Sequence, residues 1–163
     1  MANKAELRVK RQMMIHTVVQ VFFIILLLYV AWHFQLVFAA KGESQIFYNS
    51  IFFTFVLQAA LFYPIYRFAA NEARGEINAQ TATTPEELKA LRKKRILGDF
   101  IKAIAFIFYA TFIALSPPAT FVLSTTFFSF IATTVTYLQS FNFSAKRIMV
   151  GENPALTLRK KRS

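Results

Sequence analysis

Thr84-Pro85-Glu86-Glu87-Leu88-Lys89-Ala90-Leu91-Arg92-Lys93-Lys94-Arg95-Ile96-Leu97-Gly98-Asp99-Phe100 begins as a helix made for water and ends as one made for a membrane. Thr84 is a good N-cap and Pro85 suits the first helical position. Glu87 stands three residues after the cap, which completes a capping box and places two carboxylates at the positive end of the helix dipole. Arg92, Lys93, Lys94 and Arg95 follow, and then the sequence is apolar as far as Leu115. A helix from Pro85 to Leu115 is about 46 Å long at about 1.5 Å per residue, against a hydrocarbon core of about 30 Å. About one third of it must stand in water on a basic collar.

The rest of the chain follows from that collar. Of its 163 residues, 56% are hydrophobic, and 20 Phe stand against 4 Gly. A soluble domain of this length cannot hide so much apolar surface, so the long apolar runs mark an integral membrane protein. The net charge of +11 would point to nucleic acid in a soluble chain. Here the positive-inside rule is the simpler source, and an RNA or anionic-lipid partner stays open beside it. The absence of cysteine excludes disulfides, thiolate metal sites and Cys nucleophiles.

Four spans are expected, at about 15–38, 46–68, 96–115 and 119–141. The first follows Lys4, Arg8, Lys10 and Arg11. Its apolar run exceeds the h-region of a signal peptide, so it is expected to stay as a membrane helix. Pro64 is expected to kink the second span near its exit. A connector, 69–95, turns polar from Glu76 to Thr83 before the capped helix. Ser116-Pro117-Pro118 forces a tight turn before the fourth span, and a polar tail, 142–163, ends the chain.

With both termini and the connector on one side, that side holds 18 of the 19 Lys and Arg residues and only Lys41 lies opposite. The positive-inside rule therefore predicts an all-α, four-helix membrane bundle. Its N- and C-termini are cytosolic, and its third helix extends into the cytosol.

Few residues offer chemistry. His16 and His33 lie on one helix about 25 Å apart and cannot share a metal or haem. Each is read as an interface residue. Asp99 and Lys102, spaced i, i+3, are the oppositely charged pair near the membrane interior. They either pair and snorkel, or contact a partner subunit or lipid. Gln20, Gln35, Asn49 and Gln58 read as interhelical hydrogen-bonding residues, and the Ser and Thr residues of the fourth span as packing positions. No carboxylate sits at mid-span, which disfavours a channel or transporter, and no arrangement of nucleophile, base and acid is present. No cofactor, catalytic group or small-molecule substrate is expected.

Two short signals concern compartment. Lys160-Lys161 in the C-terminal run Lys160-Lys161-Arg162-Ser163 resembles the dilysine retrieval signal of endoplasmic reticulum membrane proteins, although a basic tail also arises by chance. Asn142-Phe143-Ser144 is an N-glycosylation triplet, expected on the cytosolic side and hence unmodified.

The pattern resembles the gamma subunit of the translocon-associated protein complex. The resemblance is carried by Trp32-His33 with Leu36, by Ile107-Phe108-Tyr109, and by Pro117 followed by Phe121, Val122, Leu123 and Ser124. It implies four spans, cytosolic termini and a basic connector close to the ribosome. In this chain the connector is shorter and less charged, and the tail longer, than in that family. The resemblance implies an accessory subunit of the endoplasmic reticulum protein-translocation machinery. Arg92, Lys93, Lys94 and Arg95 would then touch ribosomal RNA or anionic lipid headgroups; the alternative for these residues is topology and anchoring alone. Gly98-Asp99 with Lys102 also resembles the small four-span assembly protein encoded with bacterial ATP synthases. An accessory subunit of a respiratory or ATP synthase complex, in a bacterial or mitochondrial inner membrane, is the alternative function. A third reading, a membrane enzyme of the trimeric glutathione-transferase type, would rest on Tyr63, Tyr66 and Arg67.

Overall fold

The computed structural model describes residues 4–81 and 84–151, with side chains from 7 to 79 and from 84 to 151. They form four helices: α1 (Lys4–Ala40), α2 (Ser44–Thr81), α3 (Pro85–Leu115) and α4 (Phe121–Gly151). All four are long and apolar enough to cross a membrane, which is the make-up of a multi-pass membrane protein. The helices alternate in direction, so one end of the bundle gathers the start of α1, the end of α2, the start of α3 and the end of α4. This is the basic end.

The expected start of α3 is where the structure puts it. The Thr84 hydroxyl accepts from the Glu87 backbone N–H at 3.3 Å, Pro85 is the first helical residue, and Glu86 and Glu87 occupy the first turn. At the other limit Ser116 closes the helix, its backbone N–H donating to Phe112 O at 3.0 Å.

The remaining limits differ from the spans read in the sequence. The segment taken as a connector is mostly helix, because α2 runs on to Thr81. Its cause is a buried stripe at i, i+4 spacing, Ala69, Ala73 and Ile77, which packs on Val9, Phe141 and Ala145. α4 likewise continues past Phe141 to Gly151, held through Ala145, Ile148 and Met149. It starts at Phe121 because Ala119 takes a left-handed φ of 54° and the Thr120 hydroxyl caps the helix by accepting from Leu123 N. α2 passes through Pro64 as one helix.

The turn from α1 to α2 is a Schellman motif. Gly42 (φ 75°) donates to Ala39 O at 3.0 Å and Glu43 to Phe38 O at 2.8 Å. A glycine suits this position because a side chain with Cβ is strained at positive φ.

α4 is the centre of the packing. Ser124, Ile131, Leu138 and Ala145, seven residues apart, form one fully covered seam, the repeat that a left-handed crossing of near-parallel helices requires. Small residues on α4 let α2 approach closely: Ser50 and Ser124 hydroxyls meet at 2.7 Å, both fully buried. Further along the same pair, Gln58 donates to Thr136 at 2.9 Å and accepts from Thr133 at 3.3 Å. In lipid, helices associate by such packing and hydrogen bonding, since the apolar medium gives no hydrophobic drive between them. At the end opposite the basic one, Phe34, Phe38, Phe47 and Phe128 interlock, with Phe34 edge-on to Phe128 at 5.8 Å.

α3 is held differently. Gly98 is its one buried residue, while Phe100, Ile104, Ile107, Phe108 and Leu115 all face outward. Among the described residues α3 touches α2 and α4 but not α1.

Candidate functional site

Because α1 and α3 stay apart, a cavity of about 1020 Å³ opens between them at the basic end, with α2 and α4 behind it. Its polar wall is a ladder joining α2 to α3. Glu72 and Glu76, one turn apart on α2, meet Lys102 and Arg95, two turns apart on α3. Arg95 donates to Glu76 Oε1 at 2.6 Å and Lys102 to Glu72 Oε1 at 2.9 Å. Lys102 also reaches Asp99 Oδ1 at 2.8 Å, and lies 5.9 Å from the centre of the Tyr137 ring. The second Glu72 oxygen accepts from the Tyr137 hydroxyl at 2.5 Å. Glu72 thus ties three helices together.

Gly98 is what lets α3 come this close. A Cβ built there would stand 2.8 Å from Glu72 Oε1, whose carboxylate is pinned from two sides. The ladder is a bonded structural element in which three carboxylates, Glu72, Glu76 and Asp99, are all engaged by two cations, Arg95 and Lys102. Surface pairs such as Arg95–Glu76, where the arginine side chain is 53% exposed, contribute little stability. The part nearer the apolar core, Glu72 with Lys102 and Tyr137, carries more because each group would otherwise be stranded.

Six cationic side chains line the cavity: Arg8, Arg74, Arg92, Lys94, Arg95 and Lys102. Only Glu72, Glu76 and Asp99 oppose them, and these serve Lys102 and Arg95. The residues singled out in the sequence divide accordingly. Arg92, Lys94, Arg95, Asp99 and Lys102 converge on the cavity, whereas Lys93 is exposed on another face of α3. Lys160 and Lys161 lie outside the described residues. Asp99 and Lys102 do pair, but the sequence reading missed Glu72, the shared partner. The signal for it was the spacing of Glu72 and Glu76 beside Ala69, Ala73 and Ile77, which makes sense once α2 is continued as a helix.

The histidines are separate, as their spacing required. His16 faces the cavity with its ring edge on Phe141 at 4.7 Å. His33 is exposed and stacks on Tyr29 at 6.3 Å. Among the described residues no group of His, Asp and Glu is gathered at metal-binding distances. Tyr63, Tyr66 and Arg67 do not line the cavity, and Tyr66 stacks on Phe62 instead. Of the polar residues read as interhelical, Gln58 serves that purpose, while Asn49 bonds Gln45 on its own helix at 3.1 Å. The glycosylation triplet is engaged in packing: Asn142 Nδ2 donates to Met13 O and Thr17 Oγ1 of α1, and Ser144 is buried. Compared with models of protein families, with curated proteins and with solved structures, the chain matches none.

Proposed function

We propose that the chain is a non-enzymatic accessory subunit of a larger membrane complex. Its four helices cross the bilayer, with the basic end, both termini and the α2–α3 link on the cytosolic side. The observation that carries the subunit reading is α3. A span that buries only Gly98 in its own chain, and turns apolar side chains outward on nearly every face, has packing capacity left for neighbouring chains. The orientation rests on the distribution of 18 of 19 Lys and Arg residues to one end.

By resemblance, the parent complex to test first is the protein-translocation machinery of the endoplasmic reticulum, with ribosomal RNA and anionic headgroups as partners of the basic collar. The test is capture of the full chain from gently solubilised native membrane, with a photo-crosslinker at Ile107 on the outward face of α3. Protein adducts from Ile107, identified as translocon subunits, support both the role and the parent complex. Adducts with respiratory or ATP synthase subunits keep the role and replace the complex. A chain captured alone, with Ile107 linked only to lipid, removes the subunit reading.

A further inference from the structure

We infer that the cavity between α1 and α3 is a binding site for one anionic phospholipid, its headgroup among the cations and its acyl chains running inward along α1 and α3. The inference rests on the proposed placement of the basic end at a membrane surface, and goes beyond the collar's role in topology.

Three features of the cavity support it. The first is charge. Arg8 on α1, Arg74 on α2 and Arg92 and Lys94 on α3 surround the opening, and among the described residues no carboxylate pairs with any of them. Four cations brought together from three helices repel one another unless an anion sits between them. The second is polarity along the bundle axis. These four cations stand toward the helix ends, while Phe68, Leu97, Ile101, Tyr137 and Phe141 stand further in, beside the bonded Glu72–Lys102–Asp99 group. Unpaired cations first and apolar side chains around a neutralised polar group beyond is an order that suits a phospholipid's phosphate, glycerol and acyl chains. The third is shape. Among the described residues the α1 and α3 backbones do not come close, so the cavity is open along its side as well as at its end, and tails can pass out between them. Basic pockets between membrane helices on the cytoplasmic side are suited to such headgroups, and about 1020 Å³ is ample for one. A free phosphate or a nucleic acid would satisfy the charge and leave the apolar wall and the lateral gap unused.

The test uses the full chain in a neutral detergent, with phosphatidylglycerol or phosphatidylcholine added and bound lipid counted by native mass spectrometry. Phosphatidylglycerol should be retained in preference, at one molecule per chain. Arg8→Gln, Arg74→Gln and Arg92→Gln together should weaken it by about a hundredfold, since each surface cation is worth roughly fivefold. The control set Lys93→Gln, Lys146→Gln and Arg147→Gln removes equal charge away from the cavity and should leave retention within about twofold of the parent. Leu97→Trp narrows the apolar wall of the cavity with charge unchanged, and should weaken retention of the lipid even if the triple variant fails to fold. Equal retention of the two lipids overturns the site, as does an equal loss in the control set. Inorganic phosphate that competes as well as the lipid would make the ligand a soluble phosphate. A wrong placement of the basic end shows separately, in the sidedness of cysteine labelling, which does not read lipid binding.

Discussion

Tyr137 of α4 donates its hydroxyl proton to Glu72 of α2 at 2.5 Å, while the other oxygen of that carboxylate accepts from Lys102 of α3 at 2.9 Å. One acidic side chain is therefore the meeting point of three helices. Tyr137→Phe removes one bond and leaves the carboxylate with its cation. The expected cost is about 0.5–1.5 kcal/mol, the range for interhelical hydrogen bonds in membrane bundles. Lys102→Met should cost more, because Glu72 and Asp99 then face each other with no cation between them. Thermal unfolding in detergent gives the order; equal costs would mean that the carboxylates are solvated and the ladder is passive.

Gly98→Ala should destabilise by about 1–3 kcal/mol, the usual range for overpacking, because its Cβ meets Glu72 Oε1 at 2.8 Å. The clash is with one side chain, so in a Glu72→Ala background the same change should be close to neutral. A double-mutant cycle measures this coupling directly. Additive effects would show that α3 adjusts without disturbing Glu72.

At the α2–α4 crossing, Ser50 and Ser124 touch at full burial. Ser124→Ala loses one hydroxyl contact, at about 0.6 kcal/mol. Ser124→Leu forces the helices apart and should unfold the bundle or lower its melting temperature far more. A leucine that is tolerated there would show that the helices do not pack through these serines.

Ala119 holds a left-handed φ of 54° just before the Thr120 cap. Ala119→Gly relieves a strain of about 1 kcal/mol and should raise thermal stability, provided the turn keeps its shape. A fall in stability would place the gain in unfolded-state entropy above the relief of strain.

The chain has no cysteine, so single replacements report sidedness without background. Lys94→Cys should react with a membrane-impermeant maleimide from the cytosolic side, and Lys41→Cys only from the opposite side. Labelling of both from one side would refute the proposed orientation.

The start of α3 was legible because capping is local chemistry: Thr84, Pro85 and Glu87 lie within four residues and need no tertiary partner. The Ser116 stop was legible for the same reason. The extension of α2 was harder to see, since Arg67, Asn71, Glu72 and Arg74 make the segment read as polar while Ala69, Ala73 and Ile77 turn a narrow stripe inward. Reading the segment after Phe68 as a connector set Glu72 apart from the helix packing and hid its role. The Glu72–Tyr137 bond joins residues 65 positions apart, and no pattern in the sequence states such a pairing. Arg92, Lys94 and Arg95 were legible as a basic run. That three of the four collar cations turn toward a cavity and Lys93 does not depends on where α1 and α2 stand.

The central position of α4 also bears on how the bundle comes together. The chain emerges N-terminal first, so α1, α2 and α3 are all made before the helix that most of their buried contacts require. Among the described residues the α1 and α3 backbones do not come close, and α3 leans on α4 through Tyr109, whose ring lies 5.4 Å from Phe130 and whose hydroxyl reaches Thr133 at 3.2 Å. α1 and α2 can already meet through Phe34, Phe38 and Phe47, and α2 and α3 through the Glu72–Lys102 and Glu76–Arg95 pairs. The arrival of Ser124, Ile131, Leu138 and Ala145 then completes the packing, so the last helix made supplies most of the bundle's buried seam.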